Sequence, residues 1–396
     1  MTSSLRTVAH SRLYAGATIA LSLDGLGASM AAPQIARFLV EELGASLSLA
    51  GLYYLTNLAA PIAGFLIGRR SDRTGNRLGL FRICAVAGAA GWLLISLSTA
   101  VWMPFVISVV VLGFAGAAGS QLFAAVHDGI RSHGDEKVAD GVISIVRMAL
   151  TAGWVIGPVL GSWLASATSL QLMLLLTAAA CCAQVLPMGL LRDRAPVAAT
   201  NDGPAVHVGI RKLLPVVAFT GLYVLVYAGE PIKYAYLPIH MDRNLHIPAA
   251  VAGAIIGIQP LIELILMPVA VMVARRLGLM RLMVFGAAFG VFANLFFAFS
   301  HGAVGLFAGQ ILMGGVWGVF AGLGIVVAQR LLPEAVATAS AIFMSATAIA
   351  SAIGGATGAL GVSLGGLPLV FLAPALYGVL AVVGLSLMSR SRYGVR

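Results

Sequence analysis

Charge is what this sequence is poorest in. Of its 396 residues, 10% are Asp, Glu, Lys or Arg, while 60% are hydrophobic. Soluble domains carry about 25% charged residues, so this chain cannot build an ordinary water-facing surface, and a soluble enzyme or carrier is excluded. The net charge of +10 would suit nucleic acid. The basic residues, however, sit in short loops between apolar runs, which is a topology signal rather than a phosphate-binding face. Cysteine is scarce as well: Cys84, Cys181 and Cys182 all fall within apolar runs. Their spacing supports neither a disulfide framework nor a metal site, and they read as small packing residues. No G-x-x-x-x-G-K-[ST] occurs, so an ATP-driven pump has no support. GFAGAAG at 113–119 lacks the preceding strand of a nucleotide fold. With no H-E-x-x-H and no Ser–His pairing, neither an enzyme, a cofactor nor a metal is expected.

What the chain does have is length in its apolar runs. Twelve can span about 30 Å of hydrocarbon: 13–36, 47–67, 79–99, 102–126, 139–163, 169–190, 212–236, 248–273, 281–299, 303–328, 337–362 and 368–388. The first is too long for a signal-peptide core and holds Asp24 in its middle, so it reads as a span rather than a cleaved leader. With the N-terminus inside, 20 of the 24 basic residues fall in cytoplasmic segments. Only Arg37 and Arg243 fall outside, and Arg147 and Lys233 fall within spans. This asymmetry places both termini in the cytoplasm and makes the chain an all-α, multi-pass membrane protein.

The stretch GFLIGRRSDRTGNR at 64–77 joins the second and third runs. It reads as a tight turn in which Gly75 takes a left-handed backbone. Asp72 stands among Arg69, Arg70, Arg73 and Arg77, where an ion pair can break and re-form as helices move. A second, worn copy, ARRLGLMR, joins the eighth and ninth runs; Gly278 stands for Gly75, and no acid stands for Asp72. The polar segment 191–211 reads as a solvated linker. The chain thus divides into an N-terminal six-helix bundle, 1–190, a cytoplasmic linker, 191–211, and a C-terminal six-helix bundle, 212–396.

Glycine is abundant, at 47 residues. In a bilayer, small residues let helix backbones approach closely. Gly64 with Gly68, Gly157 with Gly161, Gly318 with Gly322 and Gly354 with Gly358 each form a G-x-x-x-G face. In the fifth run Pro158 removes a backbone hydrogen bond beside Gly157. The kinked face reads either as a seal or pivot or as a tolerated bend.

The offsets Gly68, Asp72, Arg73, Gly75 and Arg77 resemble the loop between the second and third helices of major facilitator superfamily transporters. That resemblance implies a gating loop and two six-helix repeats, with substrate held between the halves. The G-x-x-x-G-P-x-x-G of the fifth run resembles the motif of this superfamily's exporters, although the fourth run, 102–126, has no arginine. More narrowly, YYLTN at 53–57, RSDRTGNR at 70–77, QLFA at 121–124, RMALTAGWVIGP at 147–158, LIELILMP around Glu263 and GLGIVVAQRLLP at 322–333 resemble the sugar efflux transporter family. This implies secondary efflux of sugars or glycosides by proton exchange, with a small-molecule substrate, protons and the bilayer as partners. No nucleic acid is expected, and a monomer is. The residues alone leave open a multidrug or other amphiphile exporter of the same superfamily, and a non-transporting sensor or intramembrane enzyme.

A sugar pathway needs hydrogen-bonding groups and aromatic faces along a wet cavity. Asn57, Gln121, Gln259, Gln310 and Gln329 supply the first, and Tyr53, Tyr54, Trp154 and Trp317 the second. Singly, such amides often tie helices together and such rings are often packing or interface anchors. Charges within spans are costly without partners. Glu263, one helical turn from Gln259, is the first candidate for proton coupling. Asp24 is the second, alone or paired with Arg147. Glu230 and Lys233, three residues apart, read as a pair that neutralises itself.

Overall fold

The structure, a computed structural model, describes residues 2–133, 139–189, 191 and 210–390. Among these residues there is no strand, and twelve helices are long and apolar enough to cross a membrane. They are α1 (Arg12–Glu41), α2 (Leu47–Thr74), α3 (Arg77–Ser96), α4 (Trp102–Ile130), α5 (Gly141–Ala167) and α6 (Leu170–Met188). The rest are α7 (Arg211–Arg243), α8 (Ala249–Leu277), α9 (Leu279–Phe299), α10 (Ala303–Leu331), α11 (Thr338–Gly365) and α12 (Leu369–Arg390). The class and number of spans are those expected. The physical reason is that hydrocarbon offers backbone N–H and C=O groups no partner, so each span must satisfy them internally. Large apolar side chains such as Phe65, Trp102, Met272 and Leu387 are exposed. That would be a liability in water and is what a lipid-facing surface requires. Of the expected linker, only Leu191, Ile210 and Arg211 are among the described residues.

Several spans extend further than their apolar cores. α2 continues to Thr74, so Asp72 and Arg73 lie in its last turn and the turn proper is only Gly75–Asn76. Nothing breaks the helix before Gly75, whose φ of 63° ends it. Asn76 then caps α3 by accepting from the Gly79 N–H at 2.9 Å. Several spans depart from regular α-helix: α1 breaks between Arg12–Ala31 and Ile35–Glu41, α2 passes through a 3₁₀ segment at Tyr53–Leu58, α4 through a π segment at Ser108–Leu112, and α7 breaks at Ala228 between Ile210–Tyr227 and Gly229–Arg243.

Contacts divide the chain into two compact units. The first is Met1–Gly44 with Thr56–Asp202, and the second is Ala45–Leu55 with Gly203–Arg396. In the second unit α8 packs on α10, α9 on α10 and α12, and α7 on α11. The segment Leu47–Leu52 packs on α11 there, and Tyr236 Oη donates to the Leu47 carbonyl at 3.2 Å.

In the first unit α3 packs on α4 and α6, and α1 lies along α5. The α1–α5 seam is made by missing side chains. A Cβ on Gly157 would stand 1.8 Å from Ser29 Oγ, one on Gly161 2.6 Å from the Met30 carbonyl, and one on Gly25 2.3 Å from the Leu150 carbonyl. Across the seam Ser29 Oγ donates to the Gly153 carbonyl at 3.1 Å, and Gln34 Nε2 donates to Ser162 Oγ at 2.9 Å. The expected Gly64–Gly68 packing face is not formed: no atom lies within 4 Å of a Cβ built at either position. Its neighbours Ile62, Phe65 and Leu66 are exposed, so among the described residues this face of α2 has no helix against it.

Gly157→Leu forces two backbones apart and should lower stability by about 1–3 kcal/mol, the usual cost of overpacking. Gly221→Leu, where a Cβ meets open space, should stay within about 0.5 kcal/mol of the parent. Thermal unfolding of the two purified variants checks the seam. Equal melting temperatures would show that the glycines of α5 are not needed for packing.

Candidate functional site

The most polar buried site among the described residues begins at the break in α7. Pro231, which lacks an N–H, follows Gly229 and Glu230 directly, so helix Gly229–Arg243 starts afresh with Glu230 in its first turn. Unpaired N–H groups there favour an acid, and Lys233 follows one turn later. Lys233 Nζ donates to both carboxylate oxygens of Glu230, at 2.9 and 2.7 Å. It also donates to Gln259 Oε1 of α8. Trp317 of α10 donates its indole N–H to Glu230 Oε1 at 2.6 Å, and Gln259 Nε2 reaches the same oxygen at 3.5 Å. Lys233 is only 1% exposed and Glu230, Gln259 and Trp317 are each 6% exposed. An ion pair so deeply buried persists only if its remaining donors and acceptors are satisfied, and here Gln259 and Trp317 satisfy them. The pair that sequence spacing predicts does form, but as the centre of a three-helix cluster.

Aromatic rings close one side. Tyr227 meets Trp317 edge-on at 4.9 Å between centroids. Tyr223 stacks with Tyr227 at 6.0 Å and tilts against Phe343 at 4.6 Å, and Lys233 Nζ lies 4.6 Å from the Tyr234 ring centroid. Glu263, half-buried one turn beyond Gln259, is near enough to Lys233, Tyr223 and Tyr227 to act on them electrostatically. Gln259, Glu263 and Trp317 are thus brought together in the second unit.

A second polar network lies at the α2–α3 turn of the first unit. Arg77 Nη1 donates to Asp72 Oδ1 at 2.6 Å and to Ser71 Oγ at 2.9 Å. Its Nε donates to Asp128 of α4 at 3.1 Å. Buried Ser71 donates to Gln121 at 2.5 Å, so Gln121, expected among the substrate ligands, ties α4 to α2. Asp128 was not expected. The fourth span appears uncharged when it is ended at residue 126, and the acid two residues later is the signal that such a boundary discards.

The other expected residues are dispersed. In the first unit Asn57 is exposed and Trp154 half-buried. Asp24 is half-buried and hydrogen-bonds Gln184. An Asp24–Arg147 pair is not formed. Arg147 is exposed and has no ion pair among the described residues, because its long side chain can leave the helix interior. In the second unit Tyr53 and Tyr54 are buried edge to face at 5.9 Å. Gln329 donates to Ser340 at 3.0 Å. Gln310 is fully buried and has no hydrogen-bond partner among the described residues.

The Major Facilitator Superfamily model matches residues 17–229 and again 219–394. The chain belongs to this superfamily. Among proteins it resembles is sugar efflux transporter B of Salmonella typhimurium, 27% identical, with 81% of this chain and 81% of that protein covered. Sugar efflux transporter A of Escherichia coli is 26% identical, with coverage of 84% and 85%. Among solved structures, the nucleoside transporter NupG shares the fold with a TM-score of 0.81 at 18% identity, over 96% of this chain and 100% of that one.

Within this major facilitator fold the two polar networks should respond differently to mutation. Glu230→Gln leaves an ammonium buried beside a neutral amide and should cost about 3–5 kcal/mol. Glu230→Gln combined with Lys233→Met should cost well under the sum of the single changes, a coupling that a double-mutant cycle on melting temperature reads directly. Asp72, whose side chain is 69% exposed, should contribute under about 1 kcal/mol, so Asp72→Asn leaves stability near that of the parent. Additive costs at Glu230 and Lys233 would mean that the two are not a coupled pair.

Proposed function

We propose that this protein is a secondary active transporter that exports sugars or glycosides in exchange for protons, by alternating access across a bacterial cytoplasmic membrane with both termini inside. The observation that carries the reading is the Glu230–Lys233–Gln259–Trp317 cluster beside Tyr223 and Tyr227. It combines amide, carboxylate and ammonium groups that can match hydroxyls with ring faces that pack on sugar C–H surfaces. The names of the relatives support the same substrate class. The ring cluster also favours a second reading, export of aromatic amphiphiles.

Charge counting suggests how a proton is used. Glu230 and Lys233 cancel, so the site carries one negative charge when Glu263 is ionised and none when it is protonated. A site without net charge can close at lower cost than a charged one, so a proton arriving from outside permits the return to the inward-facing state. Gln259, one turn from Glu263 and bonded to Lys233, carries the change to the substrate groups. Asp24 is the alternative coupling acid. Gly68, Asp72, Arg73, Gly75 and Arg77 act as the cytoplasmic latch, and the α5 face at Gly157, Pro158 and Gly161 acts as a rigid seam against α1.

In inverted vesicles with an imposed proton gradient, Glu263→Gln should bind labelled sugar but accumulate no more of it than vesicles without a gradient, while exchange persists. Asp24→Asn should keep gradient-driven accumulation. The opposite result moves coupling to α1. Accumulation of cationic dyes but of no sugar replaces the substrate class. Asp72→Asn should cut transport in the same assay despite its near-parent stability, and full transport would reduce the loop to a topology signal.

A further inference from the structure

The second unit holds a cavity of about 1060 Å³ that the transport reading does not use. It is formed where α8 ends and α9 begins, against α10 and the end of α12. Five arginines line it, Arg275, Arg276, Arg281, Arg330 and Arg390, and no lining residue is acidic. In the first unit, Arg77 of the corresponding loop is bonded to Asp72 and Asp128. Here the basic side chains remain and the acids are gone. Among the described residues Arg275, Arg276, Arg281 and Arg390 have no ion pair. These four guanidinium groups around one space repel one another unless an anion lies between them, and their planar forks suit phosphate oxygens.

The remaining wall decides what kind of anion. Val271, Leu277, Leu279, Leu323 and Val326 line the same cavity, and Val271, Met272 and Leu277 leave much of their surface exposed. The space therefore offers both guanidinium and apolar groups, the profile of an anionic headgroup that carries acyl chains. A free phosphate would use only the first part. Arginines at the ends of spans stand where headgroups lie.

We infer that this cavity binds the headgroup phosphate of an anionic phospholipid, with the lipid's chains along α8 and α10. The site depends only on the membrane-spanning fold and holds whatever the transported substrate is.

Native mass spectrometry of the delipidated, purified full chain, titrated with phosphatidylglycerol, phosphatidylethanolamine or inorganic pyrophosphate, tests it. Phosphatidylglycerol should bind at least about fivefold more tightly than phosphatidylethanolamine, the contribution of one arginine near a charged headgroup. Arg275→Gln with Arg276→Gln should weaken phosphatidylglycerol about 25-fold. Arg275→Lys with Arg276→Lys, which keeps the charge but loses the forks, should weaken it less than the glutamine pair does. The exposed first-unit pair Arg69→Gln with Arg70→Gln should change nothing. The wild-type comparison of the two lipids decides the matter even where the glutamine variant fails to fold. Equal affinity for both lipids, pyrophosphate binding as tightly as phosphatidylglycerol, or equal loss in the two double glutamine variants would each overturn the assignment.

Discussion

A lysine ammonium cannot be left unaccompanied in a low-dielectric interior, and the second unit is arranged around that constraint. Lys233 is nearly inaccessible, so three helices must deliver partners to it: Glu230 from its own helix, Gln259 from α8 and, through Glu230, Trp317 from α10. Glycine makes that convergence possible. A Cβ on Gly314 would stand 2.6 Å from Ile262 Cβ and 2.9 Å from the Gln259 carbonyl, and one on Gly354 2.2 Å from the Ala228 carbonyl. Close packing of α8 on α10 and of α11 on the α7 break is therefore a condition of the ionic cluster. The break itself contributes: by restarting α7 at Gly229, it puts Glu230 where free N–H groups favour a carboxylate.

The units treat their loop arginines in opposite ways. In the first, one guanidinium collects Asp72, Asp128 and the Ser71 hydroxyl, which draws the ends of α2, α3 and α4 together. In the second, the equivalent loop keeps a left-handed glycine, Gly278 with φ 86°, and its arginines, but has no acid. The turn glycine and the arginines of the repeat have been retained, while its backbone (Gly75 φ 63°, ψ 7°; Gly278 φ 86°, ψ 147°) and its electrostatics have diverged. In the first loop Arg77 is paired within the chain, whereas Arg275, Arg276 and Arg281 of the second have no ion pair among the described residues.

Some features were legible in the amino acids because they depend on one segment at a time. Span number and the all-helical class follow from the cost of an unbonded peptide group in hydrocarbon. The left-handed turn at Gly75 follows from the absence of a Cβ, and the Glu230–Lys233 pair follows from helical spacing. Others depend on which segments meet. Gln121 reads as a pathway amide until Ser71 is seen against it. Arg147 and Asp24 read as a pair until one is found exposed and the other on Gln184. Asp128 is invisible to any reading that stops α4 at its last apolar residue.

The sequence by itself determined that the chain is a twelve-span membrane protein with arginines concentrated at one end of its helices, since hydropathy and loop charge act locally. Only the tertiary structure decided that Gln259 and Trp317 complete the Glu230–Lys233 pair, that Gly64 and Gly68 meet no other described residue, and that Arg330 and Arg390 share one cavity with the arginines of the α8–α9 turn. Each of these turns on side chains from different helices coming within a few ångströms, and helical periodicity records the direction of a side chain without recording what stands opposite it.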